Sequence, residues 1–145
     1  MKKLGVVLGI ALSLGLTSCF DSETEILKQA RTTQQGVLSK QNALVSDLDK
    51  EIAAAEKEIA TLTQNPLDSA GIIRVNELSE RTSMINTLKD DVINYKLNLK
   101  EIPEGAAIKD DAFFKGLKDE QVLKLAKEQD SAFNVLKSQV ETELL

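Results

Sequence analysis

The chain reads as an all-α protein: an antiparallel helical hairpin of coiled-coil type with a C-terminal helix packing back on it, three-helix bundle-like. Three observations predict this. From Glu23 to Thr63 there is no proline and a single glycine, Gly36, while Ala, Leu, Glu, Lys and Gln dominate, which is the composition of a long helix. Within that stretch Leu38, Gln41, Val45, Leu48, Ile52, Ala55, Ile59 and Leu62 recur at alternating steps of three and four. The same spacing returns at Leu78, Arg81, Ile85, Leu88, Val92, Tyr95, Leu99 and Ile102, so two heptad seams follow one another. Between them stands Asn65-Pro66-Leu67-Asp68-Ser69. Its proline cannot continue a helical hydrogen-bond ladder, and Asp68 or Ser69 is suited to cap a new helix.

The first helix reaches roughly 60 Å at about 1.5 Å per residue, too long to stand in water without a partner. Folding the chain about residue 68 supplies one. It sets Ile59 near Leu78, Ala55 near Arg81, Ile52 near Ile85, Leu48 near Leu88, Val45 near Val92, Gln41 near Tyr95 and Leu38 near Leu99, with the seams in phase throughout. Two seam positions are polar. Gln41 against Tyr95 is expected to form a hydrogen-bonded layer that fixes register, and Arg81, opposite small Ala55, has room to snorkel toward Glu56 or Glu58. Flanks such as Lys50-Glu51 and Glu56-Lys57-Glu58 read as solvated faces.

Ile102-Pro103-Glu104-Gly105 is the second break. Beyond it Ala106 to Lys115 suits a short helix ending at Gly116, expected to be a left-handed cap. Asp119 is placed to cap a last helix to about Glu143, with Val122, Leu125, Ala126, Phe133, Leu136, Val140 and Leu144 on or near one face. That stripe is expected to lie on the hairpin half around Leu38, Leu44 and Leu99, leaving the Asn65-Pro66 tip protruding. Phe113 and Phe114 are neighbours, so a single helix cannot turn both toward one core. They are the candidate partner-contact residues, with one of the two expected in the core and the other exposed. In the alternative, Phe113, Phe114 and Phe133 all stay partly exposed and dock on another protein or a second copy.

Catalytic chemistry has little to work with. The 145 residues contain no histidine and one cysteine. The serines and carboxylates sit on helix surfaces, away from a neighbouring base or a glycine-rich loop that would organise an oxyanion or phosphate. Asp90-Asp91 and Asp110-Asp111 are adjacent pairs that diverge on a helix. The first is read as solvation and the second as capping of a helix N-terminus. No twelve-residue oxygen-rich loop surrounds residues 110 and 111, as a calcium site would need. No catalytic residue, cofactor or metal ligand is therefore assigned, and an enzyme is the least favoured class.

Cys19 closes the run Leu16-Thr17-Ser18-Cys19 after Met1-Lys2-Lys3 and an apolar stretch from Leu4 to Leu16. This run resembles a bacterial lipobox, and the resemblance covers about the first twenty residues. It implies a signal peptide over 1-18, cleavage before Cys19, and diacylglycerol and palmitate-type acyl chains on that residue. A lipidated N-terminus and short tether would then span 19-24, the hairpin 25-102 and the C-terminal helical segment 103-145. The apolar run is shorter than the roughly 20 residues that span a bilayer, as suits a cleaved signal. Acyl chains consume the thiol, and two or three of them anchor durably where one does not. Phe20, standing where enteric bacteria often place a retention aspartate, favours the outer membrane in a cell that has one. A lipidated cysteine ahead of heptad helix also resembles the murein-linked lipoprotein, which ends in a lysine joined to peptidoglycan, whereas this sequence reads Glu143-Leu144-Leu145.

Residues 19-145 carry a formal charge of about −7, which disfavours nucleic acid and an anionic bilayer surface as partners. Membrane contact is thus expected through the acyl chains on Cys19, with a protein partner and self-association both open. The leading expectation is a non-enzymatic envelope lipoprotein that binds protein, as an adhesin, assembly factor or complex subunit. An inhibitor or immunity protein that covers a basic cleft is the alternative from another class, and a homo-oligomeric structural spacer is the third.

Overall fold

The computed structural model describes residues 23–97 and 100–145. Four helices follow in order: α1 over Glu25–Leu62, α2 over Ser69–Leu97, α3 over Ala107–Asp110 and α4 over Asp119–Glu143. The described residues form the all-α, three-helix bundle-like hairpin that the two seams predict, with α1, α2 and α4 as its long members.

Local chemistry sets the boundaries. Thr24 caps α1, its hydroxyl accepting from the Leu27 amide at 3.2 Å. At the tip, the Asp68 carboxylate accepts from the Gly71 amide at 2.8 Å and its carbonyl from the Ile72 amide at 3.0 Å, so Asp68 is the cap that starts α2. A side chain at Gly71 would meet Leu67 Cδ2 at 2.9 Å, and a glycine there lets the incoming turn fold over the new helix.

The segment after α2 departs from expectation in three places. The helix anticipated over 106–115 is only the four residues of α3, because Asp111 turns extended (ψ 127°) and its carboxylate captures the amides of Phe113 and Phe114 at 2.8 and 3.1 Å. Asp111 thus caps, as read, but it caps a new turn and ends the old helix. Left-handed backbone is found at Gly105 (φ 53°) and not at Gly116. Asp119 is the first residue of α4 and not its cap. The backbone amide of Lys118 donates to Gln121 Oε1 at 2.8 Å, while Asp119 accepts from the Thr24 hydroxyl at 2.6 Å.

That last bond ties the N-termini of α1 and α4 together and makes the two helices parallel. Lys40 then reaches Asp130 at 2.9 Å, and Arg81, on α2, donates to the Leu144 carbonyl at 3.3 Å. Helix α1 is the shared element: α2 and α4 both pack closely along it and meet each other mainly through side chains such as Tyr95, Phe133 and Arg81. Its buried stripe is Leu27, Ala30, Gln34, Val37, Gln41, Leu44, Leu48 and Ala55. Leu38 and Val45, expected at the centre of the seam, are half-buried, while Val37 and Leu44 are buried. A helix covered from two sides centres its dry arc between its partners, so the seam rotates toward α4.

Two apolar clusters result. The larger joins Val37, Leu44, Leu48, Ile85, Leu88, Val92, Phe133 and Val140, and the smaller joins Leu27, Ala30, Ile102, Ile108, Phe114, Val122 and Ala126. Buried glutamines sit among them. Gln34 donates to the Lys100 carbonyl and accepts from the Ile102 amide at 2.8 Å, which fastens the chain leaving α2 onto α1. Gln41 donates to the Val92 carbonyl at 2.5 Å rather than to Tyr95, and its own Oε1 has no partner among the described residues. Tyr95 instead donates to the Gln129 carbonyl at 2.5 Å and lies tilted against Phe133 with ring centroids 5.4 Å apart. Burial first, and then the nearby Asp130 carboxylate, push its phenol above the usual range.

Candidate protein-binding surfaces

Near the start of α1 the two candidate aromatics part company. Phe114 is 2% exposed and belongs to the smaller cluster, whereas Phe113 is 48% exposed. The Asp111 cap holds both amides in one tight turn, in which Phe114 enters the cluster and Phe113 stays outside it. Phe113 lies edge-on to Phe114 at 4.9 Å, and the Lys100 ammonium sits 5.2 Å from the Phe113 ring centre and 3.2 Å from Asp111. The partner-contact role considered for Phe114 is replaced by packing, and Phe113 remains as the exposed ring. The lipidation residue Cys19, and Leu99, lie outside the described residues.

At the other end the bundle thins to two helices. Helix α4 stops beside Glu51 and Arg81, and the hairpin continues beyond it as an arm from Ile52 to Glu80 with its tip at Pro66. Along the face that α4 covers lower down, the heptad positions are apolar: Val37 and Leu44 on α1, Leu88 and Tyr95 on α2. One and two heptads further out, the same positions are Glu51 and Glu58 on α1 and Arg81 and Arg74 on α2. They pair across the hairpin, Arg74 to Glu58 at 2.8 Å and Arg81 to Glu51 at 3.5 Å. The expected snorkelling of Arg81 toward Glu56 or Glu58 is thereby corrected. Glu58 is held by Arg74, and Arg81 turns the other way, to Glu51 and the end of α4. The Arg74 guanidinium, by hydrogen bond and by charge, keeps the Glu58 carboxyl below the usual range.

Between these ion pairs a groove of about 750 Å³ opens on the arm, with Ala54, Ala55, Leu78 and Met84 on its floor and Glu77 and Glu80 on its rim. The tip carries Ile72 and Ile73, 50% and 59% exposed. Sequence reading passed over both. The signal was available: stepping the α2 seam back from Leu78 reaches Arg74 and Gly71, which leaves the two isoleucines outside it.

Charge is divided along the length. Residues 23–40 and 96–130 balance ten acids against ten bases, while 41–95 and 131–145 hold twelve acids and six bases. The half that includes the arm therefore carries a net charge of about −6, a field that favours a basic visitor and opposes another acidic arm. Among the described residues no group of three or more Cys, Asp or Glu is arranged to hold a metal ion, and no helix is long and apolar enough to cross a membrane.

The site class is thus a bundle with an acidic two-helix arm and an exposed aromatic at its base. Compared with known proteins, the chain matches no family model, no curated protein and no solved structure.

Proposed function

We propose that the protein is a non-enzymatic, lipid-anchored module of the bacterial envelope that binds another protein through its arm. Acyl chains on Cys19 hold it to a membrane, the outer membrane in a cell that has one, and the short tether keeps the base close to the bilayer while the arm projects. The observation that carries this reading is the arm itself. It extends past the end of α4, exposes Ile72 and Ile73, and carries a net charge of about −3 over residues 51–81, features that a bundle serving only its own stability does not require.

The test has two readouts. Metabolic labelling with an alkynyl palmitate analogue should mark the wild-type chain and leave Cys19→Ser unmarked. Immunoprecipitation of the labelled protein from crosslinked cells should recover one reproducible protein partner, in amounts that fall when Ile72 and Ile73 are both changed to Ser. Recovery that is unchanged in that variant would assign binding to another surface, and absence of any partner across growth conditions would sink the reading. An inhibitor of a basic-clefted envelope enzyme draws on the same acidic arm. It is distinguished by loss of the recovered partner's activity on adding the purified chain.

A further inference from the structure

We infer that the groove on the arm is a docking slot for a single helix of a partner protein, lying in line with α4, its narrow seam made of small and apolar residues and its flanks carrying Lys or Arg. This rests on the protein-binding reading above and assigns that contact a place and a chemistry.

Continuity comes first. The groove is the outward extension of the face on which α4 already packs, since Arg81 on its edge bonds the Leu144 carbonyl and Glu51 and Glu58 continue the heptad line of Val37 and Leu44. Two antiparallel helices leave a trough that a third helix fills by ridges into grooves, as α4 does below. The floor decides how close the newcomer comes. Ala54 and Ala55 are small, so a helix settles near the α1 backbone there, with Leu78 and Met84 as its apolar contacts.

Charge selects the flanks. Residues 51–81 hold six acids and three bases. Arg74 is already engaged by Glu58 and Glu77, and Arg81 by Glu51. Glu80 stands on the rim without a cation among the described residues, so a visiting Lys or Arg gains a partner while a visiting Glu meets repulsion. A second copy of this arm would bring a like net charge to the same trough, which argues against self-pairing at this face.

Site-specific photocrosslinking in cells tests this on the full chain, with the photoreactive residue at position 54, at 84 and, separately, at 113. Adducts are expected from 54 and 84, and the crosslinked peptide, sequenced by mass spectrometry, should be an amphipathic helical segment with Lys or Arg beside its apolar seam. Glu80→Lys should lower the adduct at 54 about tenfold, and Asp90→Lys, the same charge change on an exposed site below the arm, should leave it intact. An adduct of twice the chain's mass, or a crosslinked peptide with acidic flanks, overturns the slot. Adducts from 113 alone also overturn it yet keep protein binding. Silence at all three positions overturns the slot, and protein binding then stands or falls on the immunoprecipitation test through Ile72 and Ile73.

Discussion

The base and the arm of this molecule are built from the same two helices and the same heptad spacing, yet they are held together differently. In the base a third helix dries the shared face, and the hairpin residues there are Val37, Leu44 and Leu88, all buried, and half-buried Tyr95. In the arm no third helix is present among the described residues. The equivalent positions become Glu51, Glu58, Arg74 and Arg81, which close the open side with ion pairs whose members are about half exposed. Exposed pairs of this kind add little stability compared with apolar burial. The base should therefore hold the fold while the arm stays soluble and comparatively free to open, as suits a surface that must accept a partner.

The largest test of that contrast is a pair of truncations. Phe133→Ala removes a fully buried ring from the larger cluster and is expected to cost about 3–5 kcal/mol. Ile59→Ala, at a half-buried seam position of the arm, should cost under about 1.5 kcal/mol. Urea unfolding followed by circular dichroism measures both. Native-state hydrogen exchange should then find amides of residues 52–80 exchanging through openings that leave the base protected. Equal losses from the two truncations, or uniform protection along α1, would mean that the arm is as firmly packed as the base.

A smaller effect separates the two buried glutamines of the base. Gln34→Leu leaves the Ile102 amide and the Lys100 carbonyl, both outside any helix, without their partner, and a loss of about 1–3 kcal/mol follows. Gln41→Leu is different. The Val92 carbonyl lies within α2 and the Oε1 atom it removes has no partner to lose, so stability should be unchanged or raised. Thermal melts of the two variants decide it, and a Gln41→Leu loss as large as that of Gln34→Leu would show that Gln41 is required for register.

How much of this was legible in the sequence follows from which forces were local. The hairpin, the Asp68 cap and the protruding tip rest on proline, on capping chemistry and on a period of 3.5, all of which are written along the chain. The return of the last helix followed from its apolar stripe. What escaped depended on a third body. Gln34 lies one heptad below Gln41, so its place in the stripe was available, but a polar side chain near a helix start is usually solvated and only the arrival of residues 100–102 makes it a staple. Gly105 and Gly116 are equally permissive, and nothing in their immediate sequence says which of them takes the left-handed position. The change from Val37 and Leu44 to Glu51 and Glu58 was visible, but it acquires meaning only once the end of α4 is known. Phe113 and Phe114 were indistinguishable until one carboxylate bound both amides.

The smallest expected effect compares two ion pairs, one in each region. Glu23 pairs with Arg31 in the base, where both side chains are largely covered, and Glu58 pairs with Arg74 in the arm, where they are not. In each case the guanidinium's hydrogen bond, assisted by its charge, holds the carboxyl below its ordinary value of 4.5. A carboxyl lowered in the folded state adds stability that is fully present above its unfolded value and disappears as pH falls through the folded one. Both pairs therefore act in the acid limb below about pH 4.5 and are silent as pH dependence near neutrality. Salt tells them apart, because screening reaches exposed charges more readily than covered ones. Glu23→Gln should flatten the acid limb of the urea midpoint in low salt and at about 0.5 M salt alike. Glu58→Gln should flatten it less, and only in low salt. If added salt erased the Glu23 effect as completely as the Glu58 effect, the base would be as open to solvent ions at its edge as the arm is along its length.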